Sequence, residues 1–356
     1  MRQKTYRVLR AIVFAAAVLH LAACGSTRTS TSIPPGGPPA TASNNAASGP
    51  LLGAWWDASH SGLRTVYGVV GAAHQGAPAI SDGSYSGGAA CIRKNIALLT
   101  APSGSVFSVA LPQGEPLEIS GSGMPKASIV FSPSCTTSLV YAPGSPAALL
   151  VQGLLSAPTA TPVSLPAGNS VAAIADSGSI LIAVPSANGA SSIELLASGT
   201  SAFQAVSVLS RFGGMAFLPG ADAALLADAA ANTVVEASHL TTNISLTPLA
   251  AAADGVSQPV AVAVSADGQL AAVANSNGSS VLRLDLSGKT APVTTICHCS
   301  PTKLEPLAGN FAFRLNDPGS GTVWAFDGNG SLPRVLFIPT DQTTAQGTTV
   351  ARGGSR

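Results

Sequence analysis

Five cysteines are the residues of this chain with the most chemistry available to them. Cys24 follows a run of small residues near the amino terminus, and the other four are Cys91, Cys135, Cys297 and Cys299. Four thiols allow three disulfide pairings. Cys297-His298-Cys299 also invites a metal reading, but on a strand the two cysteines face one way and His298 the other. A closed zinc site needs four ligands, and no second ligand pair at metal spacing occurs in the chain. Disulfides are therefore the expectation for Cys91, Cys135, Cys297 and Cys299, with free thiols and metal or redox chemistry as alternatives. His60, His74 and His239 stand alone in the sequence and read as surface or packing residues. The chain has no Gly-x-Ser-x-Gly elbow, His-Glu-x-x-His, phosphate loop or dinucleotide fingerprint. No catalytic residue, metal site or cofactor is assigned.

The amino terminus explains the odd cysteine. Arg2, Lys4, Arg7 and Arg10 precede an apolar stretch, Ala11 to Leu21, that is too short to span a bilayer, so residues 1–23 read as a signal peptide. Leu21-Ala22-Ala23-Cys24, followed by Gly25-Ser26, resembles the lipobox of bacterial lipoproteins. That resemblance implies cleavage before Cys24, a diacylglycerol thioether on its sulfur and usually a third acyl chain. One acyl chain binds a membrane only marginally, whereas two or three anchor it firmly. Gly25 in place of Asp implies, by the same resemblance, the outer membrane, on its periplasmic or surface face. Export would also place the remaining thiols in an oxidising compartment. Residues 24–49 are the lipidated cysteine and a Ser/Thr/Pro/Gly tether with almost no large apolar side chain, expected to be disordered. The tail, 341–356, lacks periodicity and is expected to be loose.

Residues 50–340 must position whatever remains, and there one pattern recurs: a short apolar strand, a small polar turn, a second short strand. Copies begin at Asn95, Ser138, Ile180, Ala223, Leu270 and Phe311, 41 to 47 residues apart. Most are preceded by a further apolar strand ending in a turn, as at Val260 to Val264, and several are followed by a fourth. Low charge, low aromatic content and 37 glycines favour small-residue strands joined by turns. The period and strand count predict an all-β domain, a β-propeller of six four-stranded blades. An extra strand at Leu63 to Val70 offers seven as the alternative. Cys91 and Cys135 lie about one repeat apart and could meet on adjacent blades.

Pro259 to Leu286 resembles the YVTN/NHL-type propeller repeat at Pro259, Asp267, Gly268, Val273, Ala274, Asn275, Val281 and Asp285, with Ala266 in place of the turn proline and Leu284 in place of isoleucine. The other copies match less well, so the resemblance implies fold far more than function.

Without the signal peptide, 13 basic residues face 16 acidic ones, about −3, with no basic stripe, which excludes nucleic acid as the expected partner. The predicted inner strands, such as SGGAACI and SVAAIAD, present small uncharged residues to a central channel. Asp176, Asp222 and Asp267 fall in turns, and the pair Lys303 and Glu305 reads as a solvated strand face. The chain is thus expected to be a membrane-anchored, non-enzymatic binding module of the cell envelope, engaging a protein or glycan. A scaffold subunit of an envelope assembly complex is the second reading, and a propeller lactonase or lyase the third.

Overall fold

The computed structural model describes residues 49–339 apart from Asp82, Ser120, Ser122, Pro125, Lys126 and residues 318–321. The signal peptide, the lipobox Leu21, Ala22 and Ala23, the lipidation site Cys24, the tether up to residue 48 and the 341–356 tail lie outside the described residues.

Short apolar segments separated by glycine- and serine-rich turns fold into seven antiparallel sheets, each built from consecutive strands. Their inner strands, in blades 1 to 7, are Leu51–Asp57, Gly87–Cys91, Ser128–Phe131, Val171–Ile174, Phe212–Phe217, Pro259–Val264 and Glu305–Pro306. Burial rises sharply one strand outward. The second strands Ile96–Thr100, Thr137–Tyr141 and Ala223–Asp228 are buried along their whole length, because a neighbouring blade covers each face. That is why they read as unbroken apolar runs without alternation. Outer strands such as Thr159–Ser164 and Ser245–Ala250 are largely exposed and polar.

The core is not one mass but seven seams, one between each pair of neighbouring blades. Leu181 and Ile193 of blade 4 pack on Leu226 and Leu240 of blade 5, for example. The last seam joins Trp55 and Val66 of blade 1 to Leu307 and Val323 of blade 7 and so closes the ring. Among the described residues no strand is exchanged between the first and last blades. Closure rests on that apolar seam, on the Ala308 N–H donating to the Leu52 carbonyl at 2.7 Å, and on the absence of a side chain at Gly53. A Cβ there would lie 2.8 Å from Leu307.

Seven blades correct the expectation of six. The additional unit is blade 1, Leu51–Asp57, Gly62–Val69 and Ala72–Ile80, with three strands among the described residues where the other six have four. The strand expected near Leu63 is its second strand. Its third strand, AAHQGAPAI, is made mostly of small residues with no run of large apolar ones and is largely exposed or half-buried, and its pairing with the second slips at Leu63/Arg64 and Arg64/Val66. The apolar-turn-apolar pattern that marks the other units is therefore missing from blade 1.

A channel with one charged wall

Inner strands from all seven blades surround a central cavity of about 610 Å³. In blades 2 to 6 the wall is mostly apolar, with Ala90, Ile129, Phe131, Ala173, Ala216 and Val262, and Arg93 is its one charged group among the described residues. Each inner strand runs into a hairpin turn, and these turns gather at one end of the channel. There Asp176 accepts hydrogen bonds from the Ser134 N–H (2.8 Å) and hydroxyl (2.6 Å) of blade 3 and from the Gly220 N–H of blade 5 (3.3 Å). Asp267 of blade 6 accepts from the Asn310 amide of blade 7 at 2.8 Å, and the Asp267 N–H donates back to the Asn310 carbonyl oxygen Oδ1 at 3.0 Å. Both carboxylates were expected merely to shape their own turns. In fact they also clip neighbouring blades together. Burial pushes the Asp176 carboxyl up, but the Ser134 and Gly220 donors outweigh it and hold it below the ordinary range. The Ser265 hydroxyl is the main cause of the same shift at Asp267. Asp222 is held within its own blade by the Thr241 N–H and hydroxyl. Between Asp176 and Asp222 lies a groove of about 570 Å³ lined by Ser177, Ser179, Ser198 and Thr241.

The structure pairs Cys91 with Cys135, Cα atoms 6.1 Å apart, as a bridge from blade 2 to blade 3 at this same end. Cys297 is paired with Cys299, Cα atoms 5.0 Å apart, in the connection from blade 6 to blade 7. Beside the first bridge, Arg93 leaves blade 2 and reaches over the channel. Its Nη1 donates to the Pro133 carbonyl of blade 3 (2.7 Å) and its Nη2 to the Val264 carbonyl of blade 6 (3.4 Å). Blades 3 and 6 lie nearly opposite each other in a ring of seven, so the guanidinium sits close to the ring axis.

The wall changes character at blades 7 and 1. Lys303 and Glu305, expected on a solvated strand face, instead line the channel. Arg314, only 3% exposed, pairs with Glu305 Oε2 and lies 5.0 Å above the Trp55 ring. Lys303 Nζ lies 3.3 Å from Glu305 and 2.5 Å from Asp317. Burial pushes the Glu305 carboxyl up, yet the Arg314 and Lys303 charges overcome it and hold the group below its usual pKa. Glu305 sits deep in the ring, but 47% of its side chain still faces channel solvent. Sequence reasoning missed this cluster, although Arg314 inside the otherwise apolar FAFRL was a legible signal.

At the first hairpin, Asp57, Ser59 and His60 bring together the side-chain types of a nucleophilic triad. One nitrogen, His60 Nδ1, faces both Ser59 Oγ (2.9 Å) and Asp57 Oδ2 (2.7 Å). A relay needs the acid and the nucleophile on opposite ring nitrogens, so this is a turn clasp. Burial opposes ionisation of Asp57, but the Ser59, His60 and Arg64 hydrogen bonds hold its pKa at about 2. His74 lies against Tyr67, and His239 occupies a left-handed turn position at φ 54°.

The repeat-like residues of blade 6 serve the fold. Gly268 takes the positive φ of the hairpin turn, and buried Asn275 accepts from the Ser257 N–H while donating to the Gly255 carbonyl. Asp285 accepts from Ser287 and Thr290 in an exposed turn.

No protein-family model matches the chain, and no curated protein matches it in sequence. Solved structures do resemble it. A functionally unknown protein from Desulfotomaculum acetoxidans aligns at 16% identity and a TM-score of 0.58, over 81% of this chain and 95% of that one. Virginiamycin B lyase from Staphylococcus aureus, in a structure with quinupristin, aligns at 12% identity and a TM-score of 0.50, over 70% and 82%. At such identities the likeness shows the β-propeller fold alone.

Proposed function

We propose that this chain is a lipid-anchored, non-enzymatic binding module of the bacterial cell envelope, held at the outer membrane through Cys24 and engaging an envelope protein or glycan. The observation that carries the non-enzymatic reading is the state of the channel's own polar groups. A general acid or base works best with a proton affinity near the working pH. Glu305 is moved the other way, towards permanent ionisation between Arg314 and Lys303. Asp57, Asp176 and Asp267 are shifted in the same direction. Carboxylates held like this orient and recognise neighbours and are poor proton shuttles. The hydroxyl-lined groove between Asp176 and Asp222 supports recognition of a polar partner. For the anchor, the support is the lipobox-like Leu21-Ala22-Ala23-Cys24 behind its charged and apolar leader. The likeness of Pro259–Leu286 to the YVTN/NHL-type repeat supports a distant place among those propellers.

Cross-linking in intact cells, with Cys24→Ala as the comparison, tests both halves. The wild-type chain should fractionate with membranes and capture an envelope component, and Cys24→Ala should be released and lose it. Membrane retention of Cys24→Ala would refute the anchor. A turnover activity abolished by Glu305→Gln would refute the non-enzymatic reading. Capture of one protein at constant stoichiometry would identify that component as the partner of a scaffold subunit.

A further inference from the structure

Arg93 is the group the fold does not explain. Its guanidinium lies against the central cavity with two carbonyl oxygens as partners, and its Nε–H is buried with no acceptor. Among the described residues no carboxylate lies within ion-pair distance of it. Asp176 and Asp267 are near enough to influence it electrostatically, but both are turned into their hairpins and occupied by Ser134, Gly220, Ser265 and Asn310. Desolvation pushes its pKa below the usual arginine value, and the Asp176 and Asp267 charges offset that only in part. Arg93 is half-buried, a charge withdrawn from water with no direct ion pair is costly, and an anion meeting a guanidinium gains strong, planar, paired hydrogen bonds.

The rest of the cavity says what that anion is attached to. Around the same space stand Ala90, Ile129, Phe131, Ala173, Ala216 and Val262, which offer no polar side-chain atom. On the opposite wall, Lys303 and Arg314 are already paired with Glu305 and Asp317 and add no free positive charge. One guanidinium without a direct ion pair suits a single carboxylate. A dianion would leave half its charge unpaired in an apolar setting.

We infer that the channel is a binding site for an amphipathic monocarboxylate, its apolar body packed against blades 2 to 6 and its carboxylate seated on Arg93. The inference rests on the binding reading above, and it names the ligand class of the channel. The Cys91–Cys135 bridge holds blades 2 and 3, which carry Arg93 and its Pro133 acceptor, and so fixes the seat in place.

Calorimetric titration of the full chain carrying Cys24→Ala with octanoate, octanol and octylammonium tests it, because the three probes share a tail and differ in charge. Octanoate should bind about ten- to hundredfold more tightly than octanol, and octylammonium should bind weakest. In Arg93→Met, octanoate and octanol should become equivalent. If that variant fails to fold, the order of the three probes on the Arg93 protein still decides. Equal affinity for octanoate and octanol, preference for octylammonium, or binding of none of the three would overturn the site. In that case an envelope partner still captured in cells would leave the broader binding reading standing. Octanoate preference with no captured partner would instead overturn the protein-or-glycan reading and leave the channel site intact.

Discussion

Blades 2 to 6 and the closing pair, blades 7 and 1, line one channel with different chemistry. The long arc is mostly apolar apart from Arg93, and adjacent hairpins are clipped by Asp176 and by the Cys91–Cys135 bridge. At the closing pair, two bulky indoles and the Lys303–Glu305–Arg314–Asp317 network fill the same positions. The difference follows from connectivity. Blades along the arc are joined through the chain, whereas blades 7 and 1 are brought together by packing and backbone hydrogen bonds such as Ala308 to Leu52, with no shared strand among the described residues. The seam that lacks a covalent link is the one that carries the buried arginine and its stacked tryptophan.

Breaking each region in turn should give graded losses. The largest is expected in the arc. Replacing both Cys91 and Cys135 by Ala releases a loop of 44 residues, for which loop-closure entropy gives about 4 kcal/mol. The same replacement of Cys297 and Cys299, two residues apart, should cost only about 1 kcal/mol by that relation. Denaturant unfolding of the two variants side by side measures the contrast, and equal losses would break it.

At the seam, Arg314→Met should cost about 2–3 kcal/mol. That is below the usual penalty for halving a buried pair, because Glu305 is half solvated and keeps Lys303. Unfolding midpoints would check it, and a neutral result would mean that the apolar seam alone closes the ring.

Slightly below the seam comes the effect at Asp57. Its folded pKa of about 2 lies below the ordinary 3.8, so its ionised form contributes about 2 kcal/mol at neutral pH. A depressed carboxylate pKa gives stability that is complete above about pH 4 and is lost as pH falls through 2. The deficit of Asp57→Asn relative to the parent should therefore shrink between pH 4 and pH 2. A deficit that stays constant with pH would show that the clasp acts through shape and not charge.

Much of the architecture was legible because blade strands repeat at a fixed period with unbroken apolar second strands, as in IALLT and AALLAD. Five of the seven inner strands could be located from the sequence in the same way. Blade 1 escaped because its third strand lacks a run of large apolar residues and its register slips. The inner strand of blade 7 escaped because it is only the two residues Glu305–Pro306, too short to show any alternation. Those two blades supply every acidic side chain of the channel wall, so the wall looked uncharged from sequence.

By itself the sequence determined that this is a turn-rich β-propeller chain with a lipobox-like Cys24 and its remaining cysteines in two groups. Those features depend on local patterns: apolar runs, turn residues and spacing. Tertiary structure alone decided the blade count, the partner of Arg314 and the place of Arg93 over the channel axis. Each of these depends on residues that meet from distant parts of the chain, such as Arg93 with Val264, 171 positions away, and Arg314 with the Trp55 ring. The curvature that makes such residues neighbours is set by how seven seams pack together, and no local pattern encodes it.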